Sequence, residues 1–208
     1  MGLGDLRVGR LSLADGSTGP GTLDRSGAKR VANVGGKYAD SVLARRVFGA
    51  STALTGTSIV GAAAMSTTPF FALWNPNGSG KHLSILRVGF GYVSGTNVAG
   101  AFVYGASEQS AIPTGTAITI SPMFADGNAG SVARAFTEAT ITAAADVLAI
   151  GVGTLAAIAT TAVENHNLND NVDGLIVIPP GNVFVVESIS GASTTVYFVS
   201  VVYEEIDA

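Results

Sequence analysis

From about residue 59 to the C-terminus the chain reads as one strand after another, each ended by a turn cluster. The last run is the clearest. Tyr197, Val199, Val201 and Tyr203 alternate with Val196, Phe198 and Val202, so both faces of one strand carry large apolar side chains. A period of two residues belongs to β-structure and excludes a helix over the same stretch. Further runs rich in Val, Ile, Thr and aromatics lie at 70–74, 82–93, 98–104, 117–121, 132–137, 140–144, 147–152, 155–163, 175–178 and 183–189. Asn75-Pro76-Asn77-Gly78-Ser79-Gly80, Ser94-Gly95-Thr96-Asn97 and Pro179-Pro180-Gly181 punctuate them. Short strands between frequent turns, with no helical crossovers, predict an all-β fold, an antiparallel β-sandwich of jelly-roll-like type spanning residues 50–208.

The N-terminal region is different. Residues 1–36 have no sustained period and are broken by Gly, Ser and Pro, which predicts an extended arm. Residues 38–48 place Ala39, Val42, Leu43 and Val47 at helical spacing ahead of Gly49. This predicts one short helix and a hinge over 37–49. Charge divides in the same place. Residues 1–46 hold eight bases against four acids, a net +4, and residues 47–208 hold three bases against eleven acids, a net −8. The eight bases are Arg7, Arg10, Arg25, Lys29, Arg30, Lys37, Arg45 and Arg46. A basic arm on an acidic body suggests a segment that reaches for a partner. Acids are interspersed in the arm and the body would repel a polyanion. An acidic protein surface is therefore a better match than nucleic acid, and these eight residues are the candidate contacts.

Charged residues make up only 12% of the chain, against about 25% in typical soluble domains. Such a body exposes uncharged polar groups or hides surface in an assembly, which predicts a homo-oligomer, a dimer or trimer. The chain has no Cys, so no disulfide forms. The charge-free, largely apolar stretch 147–163 is interrupted by Gly and Thr and reads as strands, so no membrane association is expected. The N-terminus lacks the continuous apolar core of a signal peptide.

Catalytic chemistry is sparse. Gly78-Ser79-Gly80-Lys81 resembles the end of a phosphate loop, but Asn75 stands where the first Gly belongs and His82 where Ser or Thr belongs. The two histidines, His82 and His166, have no short ligand spacing, and no Gly-x-Ser-x-Gly occurs. Asn169, Asn171, Asp173 and Gly174 match part of a calcium loop, yet Pro180 stands where a bidentate Glu is required. An Asx-rich loop is the simpler reading. Neither an enzyme, a cofactor nor a metal is expected.

Tyr38, the Arg-rich turn to Phe48, the segment Phe71-Ala72-Leu73-Trp74-Asn75-Pro76-Asn77-Gly78-Ser79-Gly80-Lys81, the turn Pro179-Pro180-Gly181 and the closing Val202-Tyr203-Glu204-Glu205-Ile206 together resemble small structural proteins of tailed bacteriophages. The resemblance runs loosely from residue 35 to the end. It implies a virion component on the outer capsid surface, a cement or decoration protein with the major capsid protein as partner. Tail or fibre-attachment subunits share the same style. A receptor- or carbohydrate-binding module is a further alternative, with Trp74 or the Phe90/Tyr92 strand as its platform.

Overall fold

A computed structural model describes residues 36–59, 61–96, 98–126, 130–155, 168–190 and 195–208. The predicted arm, residues 1–36, lies outside the described residues except for Gly36, as does most of the predicted strand at 155–163. The chain divides into two units, 1–39 and 40–208. In the described end of the first, Ala39 N donates to Gly36 O at 2.9 Å and the Lys37 ammonium lies 5.2 Å from the centroid of the Tyr38 ring.

Among the described residues one helix, α1 (Ala39–Leu43), precedes fourteen strands. These are β1 (Val47–Ser51), β2 (Thr57–Ser58), β3 (Gly61–Ala62), β4 (Phe71–Asn75), β5 (Lys81–Ser94), β6 (Gly100–Glu108), β7 (Thr114–Ile118), β8 (Ile120–Pro122), β9 (Arg134–Thr140), β10 (Asp146–Leu155), β11 (Leu168–Asp170), β12 (Ile176–Ile178), β13 (Asn182–Ser190) and β14 (Val196–Asp207). They form two seven-stranded sheets. The first runs β11-β5-β14-β1-β8, with β12 also on β5 and β2 on β14. The second runs β10-β6-β13-β4-β9-β7, with β3 beside β13. Among the described residues only the β3–β13 pairing is parallel.

The expected β-sandwich is therefore present, and its connectivity is that of a jelly roll. Take the principal strands in chain order as β1, β4, β5, β6, β10, β12, β13 and β14. The first sheet then reads first, eighth, third, sixth, and the second reads second, seventh, fourth, fifth. That is the interleaving of two Greek keys wound together. The β7–β9 pair is an insertion that widens the second sheet beside β4.

The core lies between the inner faces. β14 supplies Tyr197, Val199, Val201 and Tyr203 to it, all fully buried, while the alternate residues face outward. The two sheets meet through aromatic rings. Phe90 of the first sheet stacks on Phe102 of the second at 4.2 Å, and Phe102 meets Tyr197 edge-on at 5.0 Å. Offset and edge-on pairs of this kind are favoured by the ring quadrupoles. A second, smaller cluster of Ala72, Trp74, Phe136, Ile141, Val183 and Val185 lies apart from this core.

Three local expectations need correction. The predicted 38–48 helix stops at Leu43, and the hinge assigned to 37–49 includes a core strand. Arg45 takes a left-handed backbone, φ 58°, which ends the helical path. Val47 and Phe48 instead pair with Glu204 and Tyr203 of β14. The predicted 117–121 strand is two strands, β7 and β8, in different sheets. The predicted 140–144 strand ends at Thr140, because Ile141 N donates to Thr67 O outside any ladder.

Candidate functional site

Of the eight candidate arm contacts, Arg7, Arg10, Arg25, Lys29 and Arg30 lie outside the described residues. Lys37 stands over Tyr38. Arg45 and Arg46 are engaged by the body. Arg45 forms an ion pair with Asp126, and its guanidinium lies 5.2 Å from the centroid of the Phe124 ring. Arg46 approaches Glu204 at 3.3 Å and donates to Ser41 Oγ at 3.4 Å. Both side chains remain about half exposed, so these pairs add little stability. Their geometric effect is to fasten the entry of β1 to β14 and to the segment after β8.

The Gly-rich turn before Lys81 is a structural knot. Asn75 is fully buried. Its Nδ2 donates to Lys81 O at 2.7 Å and to Ile178 O at 3.0 Å, and its Oδ1 accepts from Ser79 Oγ at 2.7 Å. Gly78 and Gly80 sit at φ 70° and 68°, which a side chain would strain. Lys81 Nζ donates to Asp207 Oδ1 at 2.5 Å, and this bond holds the exposed Asp207 carboxyl below its usual range. The lysine that a phosphate would need is thus matched by a carboxylate. Asn75→Ala is expected to cost about 2–3 kcal/mol, because it strands the buried Ile178 carbonyl of β12 and removes one of two side-chain donors to the Lys81 carbonyl of β5; urea unfolding measures this, and a loss within 0.5 kcal/mol, about the scatter of surface substitutions, would contradict it.

The Asx segment does not converge on a point. Asn169 pairs with Gly89 and its Oδ1 accepts from Arg87 at 2.7 Å. Asp170, on the opposite face, is close enough to Tyr104 to act on its hydroxyl. Burial first, and Asp170 second, raise that phenol above its usual range. Asp173 holds a left-handed turn, φ 55°, with its N–H bonded to Leu86 O at 2.9 Å. His166 lies outside the described residues. His82 stands opposite Ile206, its Nδ1 enclosed with no hydrogen-bond partner among the described residues. No group of three or more His, Asp or Glu residues suited to a metal occurs among the described residues. No helix among them is long and apolar enough to cross a membrane.

Of the aromatic residues expected to form a sugar-binding face, Trp74 and Phe90 are buried and Tyr92 is half-buried. Trp74 is 8% exposed and its Nε1 donates to Gln109 O at 2.8 Å. Gln109, itself buried, accepts from Thr142 N and Oγ1, both at 2.9 Å. Phe90 is in the core, and Tyr92 donates to Gly95 O at 2.6 Å.

Two surface grooves and two buried carboxylates were invisible in the sequence. One open groove of about 450 Å³ is lined by Thr57, Ser58, Thr116, Thr119, Thr137 and Glu138. The other, about 520 Å³, is lined mainly by Ile112, Ile118, Ile120, Ala133 and Phe136, with Ser131 at its wall. Ser131 Oγ donates to Glu205 Oε1 at 2.7 Å and lies 2.6 Å from Tyr203 Oη. The single Ser131 hydroxyl proton is given to Glu205, so the Tyr203 hydroxyl is the donor in that contact; burial, the largest influence, raises the Tyr203 phenol above its usual range. Glu205 also accepts from Val132 N at 2.9 Å. The group closes a hydrogen-bond chain that pins residues 131–133 to β14, and it contains no imidazole to serve as a base.

Glu187 is the second buried carboxylate, accepting from Ser66 N at 3.0 Å and Ser66 Oγ at 3.2 Å. Burial raises its pKa, opposed in part by the two Ser66 bonds. A raised carboxyl pKa in the folded state means that the native form holds the proton more tightly. The resulting stability is full below the ordinary carboxylate value and is lost as pH rises through the raised one. Glu187→Gln keeps an acceptor for Ser66 and removes the charge. It is expected to raise the melting temperature at pH 8 and leave it unchanged at pH 4; a lower melting temperature at pH 8 would show that the Ser66 bonds outweigh the burial of the charge.

No protein family, curated protein or solved structure matches the chain.

Proposed function

We propose that the protein is a virion structural component that binds the assembled capsid of a tailed bacteriophage and ties neighbouring capsomers together, a cement or decoration protein. The observation that carries this reading is the union of a basic 46-residue N-terminal region with an acidic jelly-roll body. Jelly rolls are a recurring architecture of capsid and lectin domains. A fold alone assigns no function. Here the charge asymmetry supplies the partner's chemistry, an acidic protein surface such as that of the major capsid protein.

The mechanism is mechanical. Internal DNA pushes capsomers apart, and a ligand that binds only the closed lattice stabilises that lattice by mass action. An extended segment of 36 residues reaches up to about 120 Å, enough to cross a joint between capsomers. Arg45 and Arg46 pair within the body, leaving Arg7, Arg10, Arg25, Lys29, Arg30 and Lys37 as the arm's contact set. A homo-oligomeric body would multiply the arms held at one point, and avidity grows with such linkage. The carbohydrate-binding alternative is less favoured, since Trp74 and Phe90 are buried and Tyr92 is half-buried. A tail or fibre-attachment role is separated from the capsid role by where the protein sits. Labelled protein added to empty heads and to isolated tails is expected to bind heads; binding to tails alone would overturn the capsid reading.

A further inference from the structure

The sheet edges of this sandwich are unequal. β7 is five residues long, β8 is three and ends in Pro122, and β11 and β12 are three each. Short strands and proline are the usual guards against pairing with a foreign chain. β10 has neither guard. It runs ten residues, Asp146–Leu155, at the end of the second sheet, and pairs only with β6 among the described residues. Its sequence, Asp-Val-Leu-Ala-Ile-Gly-Val-Gly-Thr-Leu, has one charged residue, at its first position. Val147 and Leu148 are 44% and 49% exposed. An edge strand presents a row of unpaired N–H and C=O groups, and a long apolar one is a template for another strand.

We infer that the edge of β10 away from β6 pairs with β10 of a second copy, antiparallel about a two-fold axis, joining the second sheets of two bodies into one. Charge selects the occupant and the direction. Antiparallel pairing sets Asp146 against the uncharged far end of its mate, whereas parallel pairing would set two Asp146 carboxylates side by side. A two-fold contact also makes the patch its own complement and closes the assembly at two copies. The body's low charge is consistent with a surface hidden in this way. Register shifts against β6 at Val147/Ala149 and Ile150/Gly153 twist the strand. They interrupt the ladder that a mate could form and point to a dimer that dissociates on dilution. The inference deepens the self-association within the proposed function and does not require a capsid.

The test uses the full chain. Sedimentation across a dilution series is expected to show a monomer–dimer equilibrium, with amide exchange in residues 147–155 slowing as concentration rises. Val147→Lys with Leu148→Lys is expected to weaken association about tenfold or more, by placing charge along the edge. Leu175→Lys, at a residue 90% exposed elsewhere, is expected to leave it unchanged. A monomer at every concentration, a trimer, or equal weakening by the Leu175 variant overturns the inference. If the double variant fails to fold, exchange in the wild type decides, and concentration-independent exchange at 147–155 overturns it. Capsid occupancy is scored on the same samples. A wild-type monomer that still occupies capsids overturns edge pairing alone, and a dimer that ignores capsids overturns the capsid reading alone.

Discussion

Phe102→Ala is expected to remove about 3–5 kcal/mol of stability, the cost of emptying a large aromatic site in a core that closes around it only in part. Phe102 is fully buried and touches both sheets. It stacks on Phe90 at 4.2 Å, meets Tyr197 at 5.0 Å and leans on Phe70 at 6.1 Å. Among the described residues no other ring joins three aromatic partners. The total stability of a domain is about 5–15 kcal/mol, so this single change consumes a large share of it. The melting temperature should fall by roughly 6–20 °C. Ile206→Ala, at a residue 41% exposed on β14, should shift stability by no more than about 0.5 kcal/mol. Urea and thermal unfolding followed by circular dichroism measure both. A loss below about 1 kcal/mol at Phe102, small for a core truncation, would mean that the two sheets do not pack through that ring.

The same geometry explains which parts of the fold could be read from the sequence. β14 was plain because its alternation persists on both faces, and a period of two has no helical counterpart. The strands and turns around 71–81 were plain because Asn, Pro and Gly mark a turn by their own backbone chemistry. β1 was hidden. Val42, Leu43 and Val47 fall at helical spacing, and only pairing with β14 makes Val47 and Phe48 a strand. Such an override of local pattern by tertiary contact is common in sheets. β11 was hidden for the opposite reason. Leu168, Asn169 and Asp170 have poor strand propensity and pair only because β5 offers an edge.

The candidate site divides likewise. Charge asymmetry needs no structure to be seen, so the basic region was evident. The partners of Arg45 and Arg46 were not, because Asp126 and Glu204 approach only through the fold. Glu187 looked like any surface acid in a Val-rich strand. Its carboxylate is buried and hydrogen-bonded by Ser66, a residue from another part of the chain. Which strands lie at the sheet edges, β10 among them, depends on strand order, which no local pattern encodes.

Deletion of residues 1–36 is expected to have the largest functional effect. The deletion removes five of the eleven basic residues and leaves every described strand in place. The body's circular dichroism spectrum should therefore stay the same. Capsid occupancy at physiological salt should fall about tenfold or more, since several charge contacts are lost together and each tenfold step needs only about 1.4 kcal/mol. Binding by the full chain should weaken as salt rises and screens the exposed charges, while the residual binding of the shortened chain should depend less on salt. Replacing Arg25, Lys29 and Arg30 with Ala should reproduce part of the loss.

The most direct measurement is the temperature at which DNA-filled capsids open, recorded with no added protein, with the full chain and with the chain lacking residues 1–36, each added at saturating concentration to particles stripped of it. A clamp that crosses capsomer joints raises the opening temperature only when its arm is present, so the full chain should protect and the shortened chain should leave the particles near the unprotected value. Equal protection by both chains, or by neither, would contradict the assignment of this protein as a capsid clamp.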